Sequence, residues 1–477
     1  MSKILLSLSW AYFIGLSFLA AQNLISIEQK GSLTKAELAA RFQDITNNDV
    51  ELFKITYSTQ DVFNELDTAS GLIVIPRRTA PHSYPRLVFQ HGTVGSRTDV
   101  PSNLRGGYEA GLFFGGLGYV TLLPDFLGLG TSRGVHPYVH ADSEASAAID
   151  MLHALDDFAN QMDIVINDQL FVTGYSQGGH AAMALHREIE QNSEAFTVTA
   201  SAPMSGPYSI SGIMRDKITL DESAYFYPAY VHFTIVSYNY VYGLYDNIAE
   251  VFKPDYVPFL QQFLDEEISL GGLNDALISK LIQNHGAPIP KYMLQDSILN
   301  AVISDEMHPF NIALRDNDVF DWKPAAPTRL YYCMADDQVP FQNSVVAAEV
   351  ITQNGAPNFE AIDVEPGADH GECVEPAIIA TAVFFAQYWE VSLVANREPI
   401  PNIPVSIFPN PTTNLITLGG LLTATQVEVF NALGQMALRQ VVDPADATLD
   451  LSSLPKGTYT LRMQLDGGVG VSRVVKQ

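Results

Sequence analysis

Two windows of the chain set a serine between glycines in the pattern Gly-x-Ser-x-Gly: GTSRG at Gly130–Gly134 and GYSQG at Gly174–Gly178. A serine hydroxyl is a weak nucleophile until a base takes its proton, and its Oγ must stand clear of the backbone. A tight strand-to-helix turn achieves this, with glycines on both sides where side chains would collide. The second window has that setting. The apolar run LFVTG (Leu170–Gly174) precedes it, and the helical pattern GGHAAMALHREIE (Gly178–Glu190) follows it. The backbone N–H of Gln177 would then stand at a helix N-terminus, where a developing oxyanion is stabilised. The first window lacks this context, because its nearest strand ends near Leu123 and Pro137 postpones any helix. Ser176 is therefore the expected nucleophile and Ser132 a loop residue.

A strand–elbow–helix nucleophile calls for an acid and then a histidine, each on a loop after a later strand. TRLYYC (Thr328–Cys333) leads into MADDQVPF, and NFEAIDVEP leads into GADHGECVEPA. The first loop offers Asp336 or Asp337. Asp336 stands four residues before Pro340, the common spacing in such loops, and is favoured over Asp337. The second loop offers His370, as the base that takes the Ser176 proton and returns it to the leaving alcohol. A second oxyanion donor should come from the turn after an early strand. FQHGTVGS (Phe89–Ser96) is such a turn, and the Thr93 N–H is the candidate, with His91 read as a packing and hydrogen-bonding residue. Cys333 and Cys373 lie three residues before the acid and three after the histidine. If acid and base touch, these cysteines are near enough to form a disulfide; the alternative is two buried thiols.

Such loops need a sheet to carry them. Between Glu51 and about Trp389, apolar runs such as GLIVIP, RLVFQ, YVTLL and TRLYYC alternate with helical patterns, which points to an α/β sheet buried on both faces. One such pattern is ADSEASAAIDMLHALDDFANQ (residues 141–161), with Asp142 or Ser143 as its expected cap. The alternation breaks from about Gly206 to Asp321, where seven tyrosines crowd into Ala224–Asp246. An insertion of this size reads either as a lid or cap over the site or as a plain helical subdomain. A Pro-rich linker (residues 396–404) follows, then an all-β segment from 405 to 477. Its clearest strand is TYTLRMQL, which alternates apolar and polar residues with a period of two. NALGQ and DGG supply turns.

Apolar residues make up 47% of the 477 and charged residues 17%, which describes a globular chain with a large core. The net charge of −27 disfavours nucleic acid and anionic membranes as partners. Lys3, the apolar stretch Ile4–Leu19 and the small pair Ala20-Ala21 have the form of a signal peptide (residues 1–21), with a membrane anchor as the alternative. No later run is apolar for long enough to span a bilayer, so no integral membrane segment is expected after its removal. Neither Cys-x-x-Cys nor His-Glu-x-x-His occurs, so no metal site is visible.

With QHGT, LLPDFLGLGTS, HPYVHADSEA, GYSQGG, ADDQVP and ADHGECVEPA together, residues 50–392 resemble the α/β-hydrolase superfamily, and most of all its secretory lipase and esterase branch. The resemblance implies an eight-stranded, mostly parallel sheet, a cap over the site, and hydrolysis of small-molecule or lipid esters through an acyl-enzyme without a cofactor. The tail is similar to the C-terminal sorting domain of proteins exported by the type IX secretion system of Bacteroidetes, through FPNPTTNLITL, VEVFNALGQ, LDLSSLPKGTYTLRM and SRVVKQ. That implies export through the periplasm and outer membrane, with the secretion machinery as a partner. A carbohydrate-binding sandwich is the rival reading of the tail, but one tyrosine and no tryptophan follow Pro404. A serine peptidase or amidase on the same fold, and a non-catalytic adhesion protein, are the alternatives to an esterase.

Overall fold

The computed structural model describes residues 23–43, 45–77, 82–193, 195–390, 405–419, 421, 423–431, 436–465 and 468–477. The expected signal peptide, the linker, and most of the NALGQ and DGG turns lie outside them. The chain divides into two compact units at 393/394.

Among the described residues of the first unit, nine strands form one sheet: β1 (Leu24–Leu33), β2 (Asp49–Gln60), β3 (Leu66–Arg77), β4 (Ser83–Gln90), β5 (Val120–Pro124), β6 (Val165–Tyr175), β7 (Ala200–Met204), β8 (Thr328–Tyr332) and β9 (Phe359–Asp363). Their order is β1-β2-β3-β5-β4-β6-β7-β8-β9. From β5 through β9 the neighbours are parallel, whereas β1, β2 and β3 run antiparallel. The eight strands implied by the resemblance are thus nine. The added one, β1, is an edge strand whose side chains are mostly exposed, so it carries no apolar run to betray it.

Alternation along the central strands feeds two apolar layers. Val88, Leu122 and Val172 join the core beneath α3 (Ala141–Met162) and α4 (Gln177–Asn192), which follow α1 (Lys35–Phe42) and α2 (Tyr108–Leu117) in the chain. Leu87, Leu123 and Phe171, one residue away, join the opposite core with α2 and the last helix of the unit. Each such fully buried side chain contributes roughly 1.5–3 kcal/mol. The start of α3 differs from expectation. It is capped by His140, whose side chain accepts from the Ser143 N–H, so Asp142 and Ser143 already lie in the first turn.

The segment after β7 folds as helices: α5 (Arg215–Thr219), α6 (Ala229–Tyr242), α7 (Val257–Leu264), α8 (Leu270–His285), α9 (Asp296–Ser304) and α10 (Pro309–Asp316). They share a core of their own, with Phe252, Tyr256, Leu273 and Leu277 fully or almost fully buried. Then α11 (Gln342–Gln353) and α12 (Val374–Phe385) alternate with β8 and β9.

Among the described residues of the second unit, the strands of both sheets pair antiparallel. One sheet pairs β10 (Ser406–Phe408), β11 (Leu415–Gly419) and β14 (Thr448–Asp450). The other pairs β12 (Thr425–Phe430), β13 (Met436–Val442), β15 (Gly457–Leu465) and β16 (Gly468–Lys476). Tyr459, Leu461 and Met463 alternate into its core.

Candidate active site

The sheet order reverses direction around β4, which lies between β5 and β6. In parallel α/β sheets a crevice opens at such a point beyond the carboxyl ends of the strands. The loops after β4 and β6 carry Thr93 and Ser176, and those after β8 and β9 carry Asp336 and His370, so all four project from one edge.

Ser176 sits between β6 and α4 with φ 61° and ψ −122°, a conformation that a non-glycine residue adopts only when its surroundings impose it. The imposition is visible. A Cβ on Gly178 would collide with the Gln90 carbonyl of β4, and one on Gly174 with the carbonyls of Gly178 and Gln90. Glycines therefore let the elbow pack against β4. The Ser176 N–H donates to Met204 O at 3.0 Å, tying the turn to β7. Ser176 itself is half-buried, whereas residues 170–175 and 177–186 are buried.

Asp336 and His370 come together. His370 Nδ1 lies 2.7 Å from Asp336 Oδ2, and the Asp336 side chain is 1% exposed. The other carboxylate oxygen, Oδ1, accepts from the N–H groups of Gln338 (3.0 Å) and Val339 (2.8 Å). Asp337 is exposed, accepts the His370 N–H at 3.2 Å, and precedes α11 by several residues rather than starting it. Tyr175, the neighbour of Ser176, donates its hydroxyl to the His370 carbonyl at 2.6 Å, and its ring packs against the imidazole at a tilt of 48° with centroids 5.0 Å apart. The elbow and the histidine loop are thus joined directly. A disulfide links Cys333 to Cys373, with Cα atoms 5.9 Å apart, beneath both loops.

On the far side of the serine, an ideal Cβ on Gly92 would stand 3.6 Å from Ser176 Cβ, so the Thr93 turn is packed against Ser176. Thr93 Oγ1 pairs with Tyr138 Oη at 2.8 Å. Gln177 is the first residue of α4, where the N–H has no intrahelical acceptor. His91 is buried, its two ring nitrogens 2.7 and 3.3 Å from the Gly92 and Asp125 carbonyls; burial pushes its pKa down. Ser132 is buried too. Its hydroxyl donates to Asp67 at 2.6 Å and accepts from the Gly128 N–H at 2.8 Å, which pins a loop.

Known structures similar to this chain include an esterase and a lipase. A ligand-bound form of the rice cell wall degrading esterase LipA from Xanthomonas oryzae superposes with a TM-score of 0.68 at 26% identity, covering 77% of this chain and 98% of that one. Another LipA structure gives 0.65 at 27%, covering 76% and 95%. Candida antarctica lipase A in its closed state shares the fold, with a TM-score of 0.58 at 14% identity over 77% and 82%. The first unit has the α/β-hydrolase fold. Residues 406–477 match the secretion system C-terminal sorting domain. The protein is therefore exported, to be secreted or attached at the outer-membrane surface. No curated protein matches the chain by sequence.

Within this α/β-hydrolase fold the helices of the insertion roof a cavity of about 1030 Å³, open mouth included, that reaches from Ser176 and Gln177 into the inserted segment. Its inner wall is apolar, with Ile235, Leu294, Leu299, Val302 and Phe310 among its lining. Three cap tyrosines engage the acid loop: Tyr225 Oη donates to Gln338 O (3.0 Å), Tyr230 Oη to Gln338 Oε1 (3.0 Å), and Tyr227 Oη faces Asp337 at 3.5 Å. The tyrosine-rich composition left a cap and a plain helical subdomain both open, and gave no sign that its hydroxyls would hold the loop after β8. Among the described residues no cluster of His, Cys, Asp or Glu is placed to hold a metal ion, and no helix is long and apolar enough to cross a membrane.

Proposed function

We propose that this exported protein is a serine hydrolase of carboxylic esters, with Ser176 as nucleophile, His370 as base and acid, and Asp336 orienting the imidazole. One observation carries the reading: the 2.7 Å bond between His370 Nδ1 and Asp336 Oδ2, joined through Tyr175 to a serine in a strained turn at the mouth of an apolar cavity. With Nδ1 engaged, Nε2 is the nitrogen free to take the Ser176 proton. Oγ attacks the ester carbonyl carbon, and the carbonyl π pair moves onto oxygen. The N–H groups of Gln177 and Thr93 face that oxyanion, each donor worth about 3–4 kcal/mol in such sites. The intermediate collapses, the alkoxide leaves with the proton from Nε2, and the acyl group stays on Oγ. Water then repeats the sequence, giving its proton to Nε2 and releasing the acid.

The apolar cavity wall favours an apolar acyl or aromatic group over a peptide, whose backbone polar groups would lose their partners there. The esterase and lipase names of the similar structures agree with this. The sorting domain would be recognised by the type IX secretion machinery. The test is hydrolysis of p-nitrophenyl esters from acetate to palmitate, beside a p-nitroanilide series, by the wild type and Ser176→Ala. Ester turnover abolished in the variant is expected. Cleavage of anilides without cleavage of esters would turn the reading to an amidase or peptidase.

A further inference from the structure

Glu144 lies in the first turn of α3, 1% exposed, and its carboxylate is used on both sides. Oε1 accepts from Gln177 Nε2 at 2.9 Å, and Oε2 lies 2.7 Å from His180 Nδ1, one turn further along α4. The opposite ring nitrogen of His180 is 2.8 Å from the Asn317 carbonyl, which requires an N–H there. One proton is then shared between Nδ1 and Oε2, and the pair is neutral overall. Gln177 is held a second time. Its Nε2 lies 2.9 Å from His136 Nε2, and His136 Nδ1 lies 2.8 Å from the Leu127 carbonyl. Nδ1 therefore carries the hydrogen and Nε2 is the acceptor. Both carboxamide hydrogens of Gln177 are committed, one to Glu144 and one to His136.

Packing alone does not call for this arrangement. A carboxylate taken from water is costly, and a buried ion pair is often no more stabilising than apolar side chains of equal volume. What the arrangement does supply is a fixed rotation of the first residue of α4, the residue after Ser176. We infer that Glu144 is a positioning residue for the reaction: one buried carboxylate grips Gln177 and His180 together, and so sets where the Gln177 N–H stands relative to the carbonyl that Ser176 attacks. The inference rests on the reading of Ser176 as nucleophile. Glu144 touches neither substrate nor Ser176 and works through Gln177. The chain of bonds extends to Asn317, whose side chain accepts from the Ala141 N–H at 2.8 Å and donates to Tyr242 Oη at 2.9 Å. The oxyanion side of the site is thereby anchored to the segment that returns from the cap.

The test compares kcat and KM on p-nitrophenyl butyrate for the wild type, Glu144→Ala, Glu144→Gln, Gln177→Ala and the double alanine variant. Glu144→Ala should lose kcat by about 10- to 100-fold, with KM changed by less than about 3-fold, as expected for a misplaced transition-state donor. Glu144→Gln should recover to within about 3-fold of wild type, because its carboxamide can accept from Gln177 and donate to a neutral His180. Gln177→Ala keeps its backbone N–H but loses the tether, and should fall as Glu144→Ala does. The double variant should be no slower than the slower single one. A folded Glu144→Ala protein with wild-type kcat overturns the inference, as do losses that multiply in the double variant. If Glu144→Ala does not fold, the contrast between Glu144→Gln and Gln177→Ala decides: equal kcat in the two overturns the inference. A wild type that cleaves no ester and takes no fluorophosphonate on Ser176 overturns the reading of the site itself, and the inference with it. An active wild type beside an indifferent Glu144→Ala overturns the inference alone.

Discussion

Asp336 Oδ2 meets His370 Nδ1 at 2.7 Å, while its neighbour Asp337 reaches only the His370 backbone N–H, at 3.2 Å. Two adjacent carboxylates thus serve the same histidine differently, one holding the ring and the other the chain. Asp336→Asn would present an amide to Nδ1 and favour the wrong tautomer, with an expected loss in kcat of about 10³- to 10⁴-fold. Asp337→Asn keeps an acceptor for the N–H and should cost less than about 10-fold, the range of a single neutral hydrogen bond. Steady-state kinetics on one ester checks both. Equal losses would mean the division of roles is wrong.

The Cys333–Cys373 bridge closes a 40-residue separation between the acid and histidine loops. In the chain-entropy account such a cross-link stabilises by about 4 kcal/mol. Cys333→Ser/Cys373→Ser should shift the denaturant midpoint of the first unit downward, and kcat should fall as the loops gain freedom. A double variant with unchanged midpoint and kcat would show the bridge to be incidental.

Leu299 lines the inner wall of the cavity. Leu299→Trp should shorten the usable space, so that p-nitrophenyl palmitate turnover drops by at least about 10-fold while acetate changes by less than about 3-fold, the scale on which apolar pockets discriminate. Equal effects on both esters would place the acyl chain elsewhere.

His232 of α6 is buried among Phe252 and Phe263, and neither ring nitrogen has a hydrogen-bond partner among the described residues. Burial pulls its pKa down to about 3. In the unfolded chain the ring takes a proton near pH 6.5, so stability holds above that value and is lost as pH falls from about 6.5 towards 3. His136 shares the window, held near 4 by burial. His232→Phe should therefore lessen the drop in melting temperature between pH 7 and pH 4. An unaltered pH dependence would exclude His232 as a source.

Much of the first unit was legible because its signals are local. The elbow announces itself through Gly174, Ser176 and Gly178 between an apolar run and a helical pattern, and β4, β5, β6 and β8 each contain a short apolar run. Strand β1 was not legible: its residues face solvent, so pairing with β2 rather than burial defines it. The cap of α3 was misplaced by three residues or fewer because His140 is an uncommon capping residue and Asp142 a common one. Glu144, His136 and the α4 pair Gln177 and His180 meet across three separate stretches of chain, and nothing in the spacing of such residues marks them as partners. The tyrosine hydroxyls that hold the acid loop stayed hidden for the same reason. Composition shows how many tyrosines the cap has, and only the fold shows where their hydroxyls end.

The most direct measurement of the central claim is the site of covalent capture by a fluorophosphonate, read by mass spectrometry of the digested protein. The expected result is a single adduct on the peptide containing Ser176, formed in step with loss of ester hydrolysis and absent from Ser176→Ala. An adduct on the peptide containing Ser132, or ester hydrolysis that survives Ser176→Ala, would contradict it.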